Sequence, residues 1–153
     1  MVVNKLQAGV AVGDITPPLG VDMGGYWSRP SVARGINDKL YVRVVAWRDG
    51  NSQAALVVLD LVALHRETIA KLRQRLSATT NIPGSSVLIC CTHTHSGPLT
   101  YPYRGMGSMD GDYMASMEER VLACIQAATV DMKVVEMSYA KVPFQLGLNR
   151  RRL

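Results

Sequence analysis

"KLYVRVVAWRDGNSQAALVVLDLVAL", residues 39–64, is the stretch that decides the fold. Two apolar runs flank "RDGNSQ", and Asp49-Gly50 is a strong hairpin signal, because glycine accepts the backbone conformation a tight turn requires. An antiparallel hairpin is therefore expected. The second run is apolar nearly throughout, the pattern of a central strand buried on both faces.

Upstream, "AGVAVGDITPPLG" reads as a short strand that stops at Pro17 and Pro18. Asp14 before Ile15-Thr16 is the residue type that forms a turn through its own side chain. The long stretch "VDMGGYWSRPSVARGIND" lacks periodicity, and loops of that length in a compact domain are often functional. Its Gly24-Gly25 pair serves backbone geometry.

Downstream the period changes. Ile69, Leu72 and Leu76 recur at helical spacing with Lys71, Arg73 and Arg75 between them, so an amphipathic helix is expected from Arg66 to the stop "TNIPGSS". "VLICCTHTH" then reads as another buried strand, broken by Ser96-Gly97-Pro98. After a Gly- and Met-rich loop, Asp112 is the expected cap of a second helix with Met114, Met117, Val121, Leu122 and Ile125 on one face. "KVVEMSYAKVPF", residues 133–144, alternates as a last strand would.

The order β, β, β, α, β, α, β predicts a mixed sheet covered by helices, in the α/β class with α+β as the second choice. The 153 residues suit a single domain over 1–153 with its own core. A hydrophobic content of 48% with 19% charged residues is globular composition, and a net charge of +5 partly concentrated in "NRRRL" is no nucleic-acid stripe. No apolar run reaches the ~20 residues of a membrane helix, and the N-terminus lacks a basic leader with an apolar core, so a cytoplasmic location is expected. Cys90, Cys91 and Cys124 lack metal-type spacing and read as free thiols.

The chemistry centres on "CCTHTHSGP", residues 90–98, which holds two of only three histidines. On a strand His93 and His95 would share a face, about 6.6 Å apart, at the C-terminal end where open α/β sheets gather ligands. Neutral imidazole is a common zinc ligand whose second nitrogen is oriented by a carboxylate or carbonyl. A catalytic zinc takes three protein ligands plus an open position. Asp60 is the nearest acidic candidate for a third ligand or an orienting carboxylate, and His65 is a weaker one. A chance His-x-His without metal is the alternative at this point.

"THTHSGP", residues 92–98, resembles the signature of the neutral/alkaline (non-lysosomal) ceramidase family, zinc-dependent amidases that cleave the N-acyl bond of ceramide. "GVAVGDITPP", "MGGY", "GINDKLYVRVVAW", "ALVVLDL" and "LNRRR" resemble further segments in the family's order. The likeness runs along nearly the whole chain but covers only the beginning of the family's catalytic domain. It implies His93 as a zinc ligand, His95 as an active-site residue and Arg150 as a substrate-binding residue. The family's other ligands (a second His, a Glu and a Tyr) and its proposed active-site Ser come later and have no counterpart here.

The resemblance therefore implies a zinc cofactor and a lipid-like N-acyl amide substrate; a homo-oligomer or a completing polypeptide is the expected partner, and the charge distribution already sets nucleic acid aside. A non-catalytic scaffold or binding domain is the second reading. Met23, Trp27, Tyr101, Tyr103, Met106 and Met109 sit in two loops near the motif, where they are expected either to line an acyl groove or simply to cover the core.

Overall fold

The computed structural model describes residues 5–27, 32–148 and 151. The expected hairpin is its centre: β2 (Tyr41–Asp49) and β3 (Ser52–Leu59) pair antiparallel from Val42↔Leu59 to Asp49↔Ser52. Gly50 takes φ 56° at the first loop position, the left-handed value that the tight hairpin turns require there.

β1 (Gln7–Asp14) lies antiparallel on the other side of β2. After β3 the chain forms α1 (Arg66–Thr79) and returns as β4 (Val87–Cys91), parallel to β3 from Ala55↔Val87 to Leu59↔Cys91. α2 (Gly111–Val130) and β5 (Lys133–Val134) follow, and the sheet order is β4-β3-β2-β1-β5. The fold is α/β with a mixed five-stranded sheet, as the element order predicts.

β5 is much shorter than the alternation over 133–144 suggests. It pairs with β1 through Gln7↔Val134 and Ala8↔Lys133, and the Val135 amide donates to the Leu6 carbonyl at 2.9 Å. β1 then offers no further rungs, and alternation without a ladder partner does not make a strand. Met137, Tyr139, Val142 and Phe144 are exposed.

Both helices cover one face of the sheet. Leu72 and Leu76 of α1 and Met117, Val121 and Ile125 of α2 are buried with Val42, Val44, Val57 and Leu59. The α2 cap is Asp110 rather than Asp112: the Asp110 carboxylate accepts the Tyr113 amide at 2.7 Å, and Asp112 sits in the first turn. Either acid satisfies the composition rule for a helix start, and only the backbone path distinguishes them. Tyr113 is buried, and its hydroxyl donates to the Ile15 carbonyl at 2.9 Å. Burial pushes its phenol pKa up.

β1 meets α2 through small residues. Gly9, Ala11 and Gly13 alternate inward, and a methyl on Gly9 would overlap the Ala128 carbonyl oxygen of α2. The same alternation turns Val10 and Val12 outward, where both are exposed. Tyr41, Val45, Trp47, Leu56 and Val58 share that outward face and are only half-buried, so β3 is an interior strand, between β4 and β2, but closely covered on one side alone.

Asp14 forms the expected turn. Its Oδ1 accepts the Thr16 amide at 2.8 Å and its Oδ2 pairs with Lys39 Nζ at 3.0 Å. The Thr16 hydrogen bonds, then Lys39, lower its pKa from 3.8 to about 2. The folded state thus binds fewer protons than the unfolded chain between these values. Its contribution is complete above pH 3.8 and lost as pH falls through about 2. Asp14→Asn is expected to flatten the acid limb of a stability–pH curve in that window, read by denaturant titration, and to leave the limb above pH 5 parallel to wild type.

Candidate functional site

Parallel strands β3 and β4 end side by side, and the Thr92 amide closes the last rung on the Leu59 carbonyl at 2.9 Å. The strand stops at Cys91, so the histidines do not converge by strand alternation as the sequence suggests. They lie in the following loop. His93 takes φ 61°, the one left-handed non-glycine residue among those described. That conformation costs of order 1–3 kcal/mol and persists where surroundings hold it.

The holding contact comes from the segment after β3. His93 Nδ1 lies 2.8 Å from the Val62 carbonyl oxygen. A carbonyl can only accept, so Nδ1 carries the proton and Nε2 presents its lone pair outward. This is how an imidazole is set as a metal ligand, with the carbonyl in the orienting position. His93 is exposed, and its ring centroid is 5.0 Å from that of His95, at an interplanar angle of 70°.

His95 is half-buried and seated by the β1–β2 loop. The Tyr26 ring meets it edge-on with centroids 4.9 Å apart, and Gly25, at φ 100°, lies so close that a Cβ there would be 2.8 Å from His95 Cα, Cβ and Cγ. Gly24 donates to the Gly97 carbonyl at 3.1 Å, and Met23 bridges Pro98, which fixes this loop against the histidine loop.

The other candidates lie elsewhere. The Asp60 carboxylate accepts the Tyr41 amide at 3.0 Å and Arg43 Nη1 at 2.7 Å, so it ties β3 to β2 and the Val62 carbonyl takes the orienting role instead. His65 is the N-cap residue of α1, with its ring 5.4 Å from Tyr101. Arg150 lies outside the described residues. Among the described residues, no three of His, Cys, Asp or Glu come together as a metal site, so His93 fits as one ligand without the set that would complete a site.

The six loop residues expected around an acyl groove divide. Met106 is buried, Met109 is exposed, and Met23 faces a cleft of about 550 Å³ behind the histidine loop, with Thr94, Ser96 and Leu40. Tyr101, Tyr103 and Trp27 form a run of ring contacts instead. Burial, then the neighbouring Cys90, pushes the Cys91 thiol pKa up to about 11, and burial raises that of Cys124, so neither is poised as a thiolate.

A histidine pair thus lies beyond the parallel strand ends of a mixed sheet, with one imidazole oriented by a backbone carbonyl. Residues 6–145 match the N-terminal part of neutral/alkaline non-lysosomal ceramidase, and the chain belongs to that family. The crystal structure of neutral ceramidase from Pseudomonas aeruginosa is similar, with a TM-score of 0.73 and 22% identity over 86% of this chain. A ceramidase solved in complex with C2 gives 0.71 and 21% over the same share. The chain spans 22% of the length of each. Among curated proteins, no match is found.

The Val62 carbonyl and Tyr26 are the functional neighbours that residue-type reasoning misses. A backbone acceptor leaves no signature in sequence. Tyr26 follows Gly24-Gly25 in "MGGY", and that glycine pair beside an aromatic was the available signal.

Proposed function

We propose that this chain supplies one wall of a zinc-dependent hydrolytic site acting on the N-acyl amide bond of ceramide or a related N-acyl lipid. The observation that carries the reading is the 2.8 Å contact in which His93 Nδ1 donates to the Val62 carbonyl and leaves Nε2 for a metal, within a family-matched segment. Zinc, when bound, supplies a Lewis acid and lowers the pKa of water to about 7. His93 would hold the metal through Nε2. His95, one ring away and wedged by Tyr26, takes a proton from the attacking water and returns it to the departing amine, so that water adds across the C–N bond. Arg150, carried over by resemblance, contacts the substrate. The remaining ligands come from polypeptide outside the described residues.

Calorimetric zinc titration tests this. A single imidazole with partial help gives weak binding, so one equivalent at micromolar affinity or weaker is expected for the chain itself. His93→Ala is expected to weaken it at least tenfold, about 1.4 kcal/mol. Equal affinity in wild type and His93→Ala would remove His93 as a ligand.

A second reading, a scaffold domain without its own catalysis, is favoured by the two-histidine donor set among the described residues. Hydrolysis of a fluorogenic N-acyl substrate by the chain with zinc separates the two: turnover abolished in His95→Ala supports an enzyme, and none in wild type supports the scaffold.

A further inference from the structure

The helices cover one face of the sheet, and the other face is apolar across four strands. One row runs Val10, Val45, Leu56, Leu88 by cross-strand register from β1 to β4, and Val10 and Leu88 at its two ends are 75% and 58% exposed. Trp47 stands in the next row towards the hairpin turn, opposite Ala54, and Val58 in the row on the other side. Single exposed apolar residues are ordinary on a surface. A contiguous face of them marks an interaction site.

Charge does not interrupt this face. Arg43, opposite Val58, is paired with Asp60 of the same copy at 2.7 Å, and Asp14 at the end of β1 is paired with Lys39 at 3.0 Å. A layer laid over the face meets no uncompensated charge, and a charged layer would find nothing there to pair with. The occupant must be flat, apolar and close to neutral.

The chain's own last segment does not fill that role. β5 runs antiparallel to β1 and the Val135 amide donates to the Leu6 carbonyl, so the chain leaves the sheet past the start of β1, and Tyr139 and Phe144 beyond it are 97% and 81% exposed. A second copy of the face meets the requirement. Its sheet carries the same twist, which lets the two stack about 10 Å apart with strands within about 30° of each other. Two-fold symmetry lets one surface serve both partners. Four strands about 4.8 Å apart and six residues at about 3.3 Å each give a face of roughly 20 by 20 Å. With side-chain relief each copy would bury on the order of 600 Å², and the pair about 1,200 Å², the lower bound of stable specific interfaces.

We propose that the open face of the sheet is a docking surface for a second copy of this chain, the two sheets packing face to face about a two-fold axis. An interface of that size associates with micromolar or weaker affinity. Below that concentration the copies separate, and unfolding in dilute protein reads the single chain.

Sedimentation velocity across the micromolar range tests this, and Trp47 reports on the face itself. In Trp27→Phe protein, where Trp47 is the one tryptophan left, emission is expected to move to the red on dilution with the same midpoint as the loss of dimer. Val10→Lys with Leu88→Lys, both at exposed positions, is expected to weaken the dimer at least a hundredfold with the circular dichroism spectrum unchanged, because two-fold symmetry enters each substitution twice. Phe144→Ser is expected to leave the dimer as it is. A chain that stays monomeric over the whole range overturns the proposal and leaves the face to polypeptide outside this chain. A dimer that withstands the lysine pair, or whose Trp47 emission ignores dilution, overturns it as well. So does a dimer that Phe144→Ser dissociates, or a monomer whose Trp47 emission moves to the red in Phe144→Ser, since either would assign the contact to the last segment.

Discussion

Gly9→Ala is expected to destabilise the protein by about 2–3 kcal/mol, the upper range for overpacking a filled interior. Propensity predicts the opposite sign, since glycine within a strand costs roughly 0.5–1 kcal/mol relative to alanine. Packing wins here. The added methyl would meet the Ala128 carbonyl oxygen, a backbone atom of α2 that cannot rotate aside, and α2 would have to lift from β1. Val10→Thr, one residue away on the exposed face, is the control and is expected to change stability by less than about 0.5 kcal/mol. Urea unfolding followed by circular dichroism reads both. A Gly9→Ala midpoint at or above that of wild type would mean that α2 does not sit on β1 as described.

The same strand illustrates what sequence reasoning reaches. The hairpin of residues 41–59 was legible because two apolar runs flank an Asp-Gly turn, and the helix from Arg66 and the buried face of α2 because each repeats a periodicity over many residues. Three features were not. The helix start moved from Asp112 to Asp110 because two acids in a row of polar residues satisfy the same rule. The last strand shrank to Lys133–Val134 because alternation describes a side-chain pattern and says nothing about a ladder partner. The histidine geometry came out differently for a similar reason: β4 ends one residue before Thr92, and a left-handed turn at His93 brings the rings together where strand period was expected to do so. The pairing of His93 with His95 was legible in the sequence, and their rings do lie together. Their orientation depends on a carbonyl 31 residues away and a glycine 70 residues away, both of which are long-range partners that composition does not encode.

Those two partners act on different rings, and Gly25→Ala is expected to separate them. Gly25 has φ 100°, where a side chain is strained whatever its neighbours, and its Cβ would fall 2.8 Å from three atoms of His95. The loop must either peel away, which would take Tyr26 with it, or push the His95 ring aside. Destabilisation of about 1–3 kcal/mol is expected from strain and overlap together. Gly24→Ala should be milder, since Gly24 has an ordinary φ and a Cβ there would lie 3.2 Å from Val62 Cγ1, a side-chain atom that can yield, and 3.3 Å from the Pro98 carbonyl oxygen, both longer than the 2.8 Å approaches at Gly25. His93 is anchored by Val62 rather than by the glycine loop, so zinc affinity should change by no more than about threefold in Gly25→Ala, under 1 kcal/mol. Any hydrolysis dependent on His95 should fall by about a hundredfold, the scale of a displacement near 1 Å at a reacting group. Imidazole resonances in the NMR spectrum provide a readout that needs no turnover: the nuclear Overhauser contacts between the Tyr26 and His95 rings are expected to vanish while His93 shifts remain near wild type. Loss of both sets together would show that the two histidines are held as one unit, and the division of labour between a carbonyl that orients one imidazole and a glycine that seats the other would have to be abandoned.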